Sequence, residues 1–147
     1  MIKTLLIVLV SLCCVIVGVK MRAYYKRRAK LWEELYRFAV YFKEEISFNK
    51  TVVEEIIENF NESDDFRTLR SGNFDGLPFD EEEIRFITDF FNSLGRFNLV
   101  LEVENVERRV EKIKEKCSVS EKLSDDRGKT AVKLSVLVAI GVFVVLV

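Results

Sequence analysis

The chain contains no histidine, so the side chain most used as a general base or metal ligand near neutral pH is missing. Cysteine is scarce, with three in 147 residues, and there is a single proline, Pro78. Cys13 and Cys14 fall in an apolar run, where thiols behave as small apolar groups. Cys117 is alone in the remainder of the chain, so no disulfide is expected there and no CxxC pair exists. It sits on an apolar stripe with no histidine to activate it and reads as a core residue rather than a nucleophile. Glycine is also sparse, and Ser71-Gly-Asn-Phe-Asp-Gly76 lacks the Lys-Ser/Thr that a phosphate-binding loop requires. The acidic run Asp80-Glu-Glu-Glu83, even joined with Asp64-Asp65, is a weak metal set and reads better as the start of a helix. Neither an enzyme nor a cofactor nor a metal site is expected.

Charge is nearly absent from both ends. Met1–Val19 carries only Lys3, and Leu134–Val147 carries none. Thr4–Val19 as helix reaches about 24 Å at ~1.5 Å per residue. The hydrocarbon core is about 30 Å thick, and Lys3 and Lys20 can snorkel to make up the difference. A basic cluster follows the run rather than a small-x-small cleavage site, so an uncleaved anchor is expected. The second apolar segment extends back to Thr130 if Lys133 snorkels. The expected division is a transmembrane helix over 1–21, a cytoplasmic helical bundle over 22–129 and a transmembrane helix over 130–147.

Acid is absent where the first segment ends. Lys20, Arg22, Lys26, Arg27, Arg28 and Lys30 form a basic run with no carboxylate between them. Tyr24 and Tyr25 inside it suit an interfacial aromatic belt, so a collar on membrane lipid is expected and nucleic acid is not. Lys122, Arg127, Lys129 and Lys133 precede the second segment. Both basic flanks face the middle of the chain, which the positive-inside rule puts in the cytoplasm.

Between the flanks the charge is uneven. Lys20 to Lys43 holds 8 basic and 2 acidic residues, Glu44 to Glu107 holds 5 and 17, and Arg108 to Lys133 holds 9 and 5. An up-and-down helical domain with basic membrane-facing ends and an acidic far end accounts for this order.

The apolar periodicity is helical and no strand alternation of any length is present. Leu31, Leu35, Phe38, Phe42, Ile46, Val53, Ile56 and Phe60 lie on one stripe interrupted at Asn49. Thr51, with Glu54 three residues on, is placed to cap a second helix. Asn61–Phe79 reads as loop. Asp80 can cap the next helix, with Glu83 at the capping-box position and Glu81 and Glu82 at the positive end of its dipole. Ile84, Ile87, Phe91 and Leu94 form its stripe, and Gly95 suits the left-handed residue that ends a helix. Leu99, Val103, Val106, Val110, Ile113 and Cys117 repeat as a heptad stripe. It is expected either to pack on Leu31–Phe60 or to form a homo-oligomeric coiled coil. Trp32 can belong to the interfacial belt or to the core. Gly128 is the expected break or bend before the membrane. The fold class is all-α: a small antiparallel helical bundle between two transmembrane helices.

Ser93-Leu-Gly-Arg-Phe-Asn98 resembles the Leu-Gly-Arg-x-Asp turn of the stage III sporulation protein AB family, with Asn98 where that family usually has Asp. Glu44-Glu-Ile-Ser-Phe48 is similar to the family's Glu-Ile-x-Tyr segment. Asn49-Lys-Thr-Val-Val53 is similar to its following turn, without the Thr-Pro-Leu proline. The apolar ending Leu134–Val147 also resembles the family's C-terminus. The family's Gln shortly after the Leu-Gly-Arg turn has no counterpart here, and the chain is shorter than typical members around Asn61–Phe79.

The resemblance implies a structural scaffold in the mother-cell membrane of an endospore former. It implies membership of a channel or secretion-like complex between mother cell and forespore. The cytoplasmic domain would then be similar to helical domains of the platform protein of type II secretion and type IV pilus systems, and the expected partners are the other channel subunits and the complex's secretion-type ATPase. The acidic half, with Asp80, Glu81, Glu82, Glu83, Leu94, Gly95 and Arg96, is the expected docking region. The alternative is an unrelated membrane-anchored coiled-coil adaptor that self-associates through Leu99–Cys117.

Overall fold

The computed structural model describes residues 2–49, 51–96 and 99–146, without the side chains of residues 3, 99 and 146. The expected capping by Asn98, the stripe position of Leu99 and the snorkelling of Lys3 lie outside the described residues. Every regular element among the described residues is a helix, and none is a strand. Helix α1 spans Ile2–Glu44 and passes into a π-helical turn, Glu45–Asn49. Helices α2 (Val53–Asn59), α3 (Asp64–Arg70) and α4 (Glu81–Ser93) follow, and α5 spans Leu99–Leu146. The chain divides into two compact units, one of Met1–Ala29 with Ser120–Val147 and the other Lys30–Val119.

The first unit pairs the apolar ends of α1 and α5. Small residues set the approach: a Cβ on Gly18 would overlap Ser135 Oγ, and Ser11 Oγ donates to the Ala139 carbonyl at 3.3 Å. This pairing of early with late residues makes the two helices antiparallel. Leu5, Leu6, Val8, Leu9, Leu12, Leu134, Leu137 and Val144 point outward. Both helices are long and apolar enough to cross a membrane. The break expected at Gly128 does not occur, because α5 is continuous through it. A glycine costs a helix about 1 kcal/mol relative to alanine, too little to interrupt a hydrogen-bond ladder of this length.

The second unit is built on the sequence stripe. Leu31, Leu35, Phe38, Phe42, Ile46 and Ile56 are buried, with Val53 and Phe60 packed at their edge. The core is aromatic. Phe38 touches Phe42, Phe60, Phe66, Phe90 and Phe91 at centroid distances of 5.1 to 6.3 Å. Phe38, Phe42, Phe66 and Phe90 are fully buried, and each contributes on the order of 2 kcal/mol from the removal of apolar surface from water. Trp32 belongs to this core, fully buried, with Phe79 5.6 Å and Phe86 6.3 Å away. Its indole Nε1 has no hydrogen-bond partner. From α5, Val106 and Ile113 are buried, and Val110 and Cys117 pack against the same core. Those four positions of the heptad stripe therefore pack inside their own domain.

Two local expectations are corrected. Asn61–Phe79 is not all loop, because α3 forms within it. Ser63 caps α3 by accepting from Phe66 N at 3.2 Å, and the cap is itself held by Glu34, described below. Thr51 does not cap α2. Val52 occupies that position without a side-chain bond, and the Thr51 hydroxyl donates instead to Glu45 Oε2 at 2.8 Å.

Candidate functional site

Helix α4 decides how the expected docking residues are distributed. Trp32 of α1 meets Phe79 and Phe86, and six residues on Phe38 meets Phe90 and Phe91. Helix α4 therefore runs beside α1 in the same direction. Its first turn lies where α1 enters the domain, and its last turn lies where α1 gives way to the π-turn. At about 1.5 Å per residue, the 13 residues of α4 separate its ends by about 20 Å. Asp80–Glu83 and Leu94–Arg96, expected together in one acidic end, sit at opposite ends of the domain.

The capping box forms as the sequence predicts. The Asp80 carboxylate accepts from Glu83 N at 2.8 Å, and Asp80 N donates back to Glu83 Oε2 at 3.2 Å. Glu83 is almost wholly buried, so its carboxylate serves the helix start and does not face a partner. Glu81 and Glu82 are exposed.

The other end is fixed by a different acid. Gly95 has φ +76°, the left-handed conformation that ends α4. Its N–H donates to Glu102 Oε1 at 3.0 Å, and Glu102 is buried in the first turns of α5. A Cβ on Gly95 would lie 3.3 Å from Val53 Cγ2. The turn is therefore packed against the start of α2. Arg96 is exposed.

The π-turn lies at this same end. One extra residue per turn keeps Ile46 in the core while Phe48 turns outward. Glu45 holds the turn closed by accepting from Asn49 Nδ2 at 3.0 Å and Thr51 Oγ1 at 2.8 Å. The Asn49 bond, then the Thr51 bond, draws its carboxyl below the usual glutamate range. Alongside, Lys43 Nζ pairs with Glu107 at 2.7 Å, tying α1 to the antiparallel α5.

On the α2–α3 side, two carboxylates unmarked by the sequence reading organise the chain. Glu34 accepts from Ser63 N and Ser63 Oγ, both at 2.6 Å. Glu62 accepts from Arg70 Nη2 at 2.8 Å, Arg70 Nε at 3.0 Å and Arg67 Nε at 3.2 Å. The Arg70 hydrogen bonds hold the Glu62 carboxyl below its ordinary value, and Glu62 raises that of Arg70 in return. Only a Ser-x-x pattern ahead of α3 hinted at the cap; the Glu34 bond spans 29 residues and has no local signature.

Of the basic collar, Lys20, Arg22, Lys26, Arg27 and Lys30 are exposed and Arg28 is half-buried. Arg22 passes Gly128, whose Cβ would meet Arg22 Cγ at 3.4 Å. Within the first unit a groove of about 740 Å³ lies between α1 and α5, lined by residues such as Cys14, Gly18, Met21, Leu134 and Ser135. Among the described residues no group of three His, Cys, Asp or Glu is placed to hold a metal ion.

The model of the stage III sporulation protein AB family matches residues 3–70. Over that stretch, a little under half of its length, the chain is similar to the stage III sporulation protein AB family. The resemblance read from the sequence is borne out over residues 3–70, which hold its Glu44–Phe48 and Asn49–Val53 segments but not the apolar ending Leu134–Val147. The match takes in the apolar start of α1, the collar, the π-turn Glu45–Asn49, α2 and α3. It ends at Arg70, before the Leu94-Gly95-Arg96 turn on which the resemblance first rested. No curated protein and no solved structure matches the chain.

Proposed function

We propose that this chain is a scaffold of a sporulation channel or secretion-like complex between mother cell and forespore. It holds a helical domain on the cytoplasmic face of the mother-cell membrane and docks the complex's secretion-type ATPase there. The role is structural and not catalytic. The observation that carries this reading is the family match over residues 3–70, which joins an apolar helix, a basic collar and the first half of the helical domain in one stretch.

Other observations support it. Two antiparallel apolar helices present their large side chains outward, as lipid-facing helices do. Both basic flanks adjoin the domain side of those helices, which favours a cytoplasmic domain. Glu34, Glu62, Glu83 and Glu102 are engaged in caps, a turn and an ion pair that hold the domain together, a structural use of charge. The heptad stripe of α5 is buried in its own domain, which leaves a self-associating coiled coil without its seam.

Co-purification tests the proposal. The full chain, reconstituted in lipid nanodiscs, is mixed with the secretion-type ATPase of the same organism's sporulation operon. Salt-sensitive co-elution is the expected result. A folded chain that never co-elutes with the ATPase, even at low ionic strength, contradicts the docking role.

A further inference from the structure

Most of the exposed apolar surface of the helical domain is gathered at one place. Among the described residues of Lys30–Val119, the exposed large apolar side chains are Phe48, Val52, Val100, Leu101 and Val119. The first four share the π-turn end. Lys43 and Glu107 are paired across α1 and α5, so Phe48, just beyond Lys43, and Val100 and Leu101, two turns before Glu107, lie at the same level. Gly95 against Val53 closes the same end from the α4 side. Phe48 is 83% exposed, Val100 69%, Val52 63% and Leu101 50%. A solvated aromatic and three solvated aliphatic side chains in one patch mark an interaction surface more than a random surface composition.

The patch stands on backbone that is held in place. Glu45, Asn49 and Thr51 lock the π-turn, Ile46 anchors it in the core, and Glu102 fixes the Gly95 turn beside it. Single π-turns within α-helices are frequent at functional sites. A surface already ordered before binding loses little conformational freedom on association.

Charge says what covers it. Residues 44–58 carry five carboxylates against Lys50, and residues 94–107 carry three against Arg96. Glu44, Glu54, Glu55 and Glu104 are exposed around the patch. This rim repels anionic lipid and nucleic acid. It also repels a second copy of the same surface, which would bring like charges together.

We infer that Phe48, Val52, Val100 and Leu101 form the docking surface of this domain, and that its occupant is a protein surface with an apolar contact ringed by Lys and Arg. The identity of that partner as the ATPase rests on the function proposed above. The Asp80–Glu83 end offers no comparable apolar contact and is not the docking site.

The test is a titration of the full-length chain in nanodiscs of zwitterionic lipid with the ATPase. Wild type is compared with Phe48→Ser/Leu101→Ser, with Val52→Ser/Val100→Ser, and with Glu81→Lys/Glu82→Lys. The substituted side chains are exposed, and unchanged Trp32 emission checks that each variant is folded. The expected result is at least a tenfold loss of affinity in either apolar pair and less than a threefold change in the Glu81/Glu82 pair. Wild-type affinity in both apolar variants, with binding intact, overturns this surface and leaves the docking function standing. No binding by wild type overturns both.

Discussion

Glu34 accepts both hydrogen bonds that Ser63 has to give, from its backbone N–H and its hydroxyl, each at 2.6 Å. Ser63 in turn accepts from Phe66 N and starts α3. One carboxylate on α1 thus orders a seven-residue helix that is too short to be stable alone. Glu34→Ala is expected to destabilise the domain by about 2 kcal/mol, the range for buried hydrogen bonds to a charged group. Ser63→Ala, which keeps the backbone donor, is expected to cost less. Urea unfolding of the full chain, followed by emission of its single tryptophan, Trp32, measures both.

Gly95 is the position where the backbone admits little else. Its φ of +76° costs a residue with a side chain about 1–2 kcal/mol, and the new Cβ would press on Val53. Gly95→Ala is expected to destabilise by about 2 kcal/mol, and Gly95→Val by more. Substituting Gly72 and Gly76, which also have positive φ but open space around them, reports the conformational cost alone. A Gly95→Ala cost no larger than theirs contradicts the packing of this turn on α2.

Glu62 makes stability depend on acidity. Hydrogen bonds from Arg70, with those from Arg67, hold its folded pKa below the ordinary 4.5. A depressed carboxylate pKa stabilises the fold above the unfolded value and loses that contribution as pH falls through the folded value. Unfolding free energy is therefore expected to be level in this respect from pH 7 to about 5, and to decline below 4.5. Glu62→Gln is expected to lower stability at pH 7 by about 1 kcal/mol, screening being appreciable at this partly exposed pair, and to flatten the decline. An acid limb of unchanged slope in the Gln variant rules out this pair as its source.

Trp32 tests how far the core depends on volume alone. It is fully buried, and its Nε1 makes no hydrogen bond. Trp32→Phe therefore loses no polar partner and is expected to cost about 1–2 kcal/mol, while Trp32→Ala is expected to cost about 4. Thermal unfolding by far-ultraviolet circular dichroism measures both. Equal losses in the two variants indicate that the indole ring contributes more than its volume.

What was legible in the sequence was whatever is local. The 3.6-residue stripe from Leu31 to Phe60, the Asp80–Glu83 capping box and the left-handed Gly95 all follow from spacing and residue type, and each forms. Helix α3 was hidden because Phe66 and Leu69 give too little periodicity over seven residues. Its stabilising contact, Glu34, is 29 residues from Ser63. Thr51 looks like a helix cap by position, but α2 starts one residue later, after Val52, and the Thr51 hydroxyl donates to Glu45 of the π-turn. The separation of Asp80–Glu83 from Leu94–Arg96 was equally hidden. Net charge along the chain says nothing of helix direction, and the Trp32–Phe79 and Phe38–Phe90 packing fixes that α4 runs parallel to α1. The exposed patch around Phe48 escaped notice because an apolar residue beside a core stripe reads as core until the π-turn rotates it out.

The central claim is that this helical domain lies in the cytoplasm, where an ATPase can reach it. Labelling in the living cell tests this most directly. With Cys13, Cys14 and Cys117 replaced by serine or alanine, a single cysteine at Asp75, in the exposed α3–α4 loop, is challenged with a membrane-impermeant maleimide in sporulating cells stripped to protoplasts. The account predicts no labelling until the membrane is opened and full labelling afterwards. Labelling of Asp75→Cys in intact protoplasts would put the domain on the other side and remove the cytoplasmic docking role altogether.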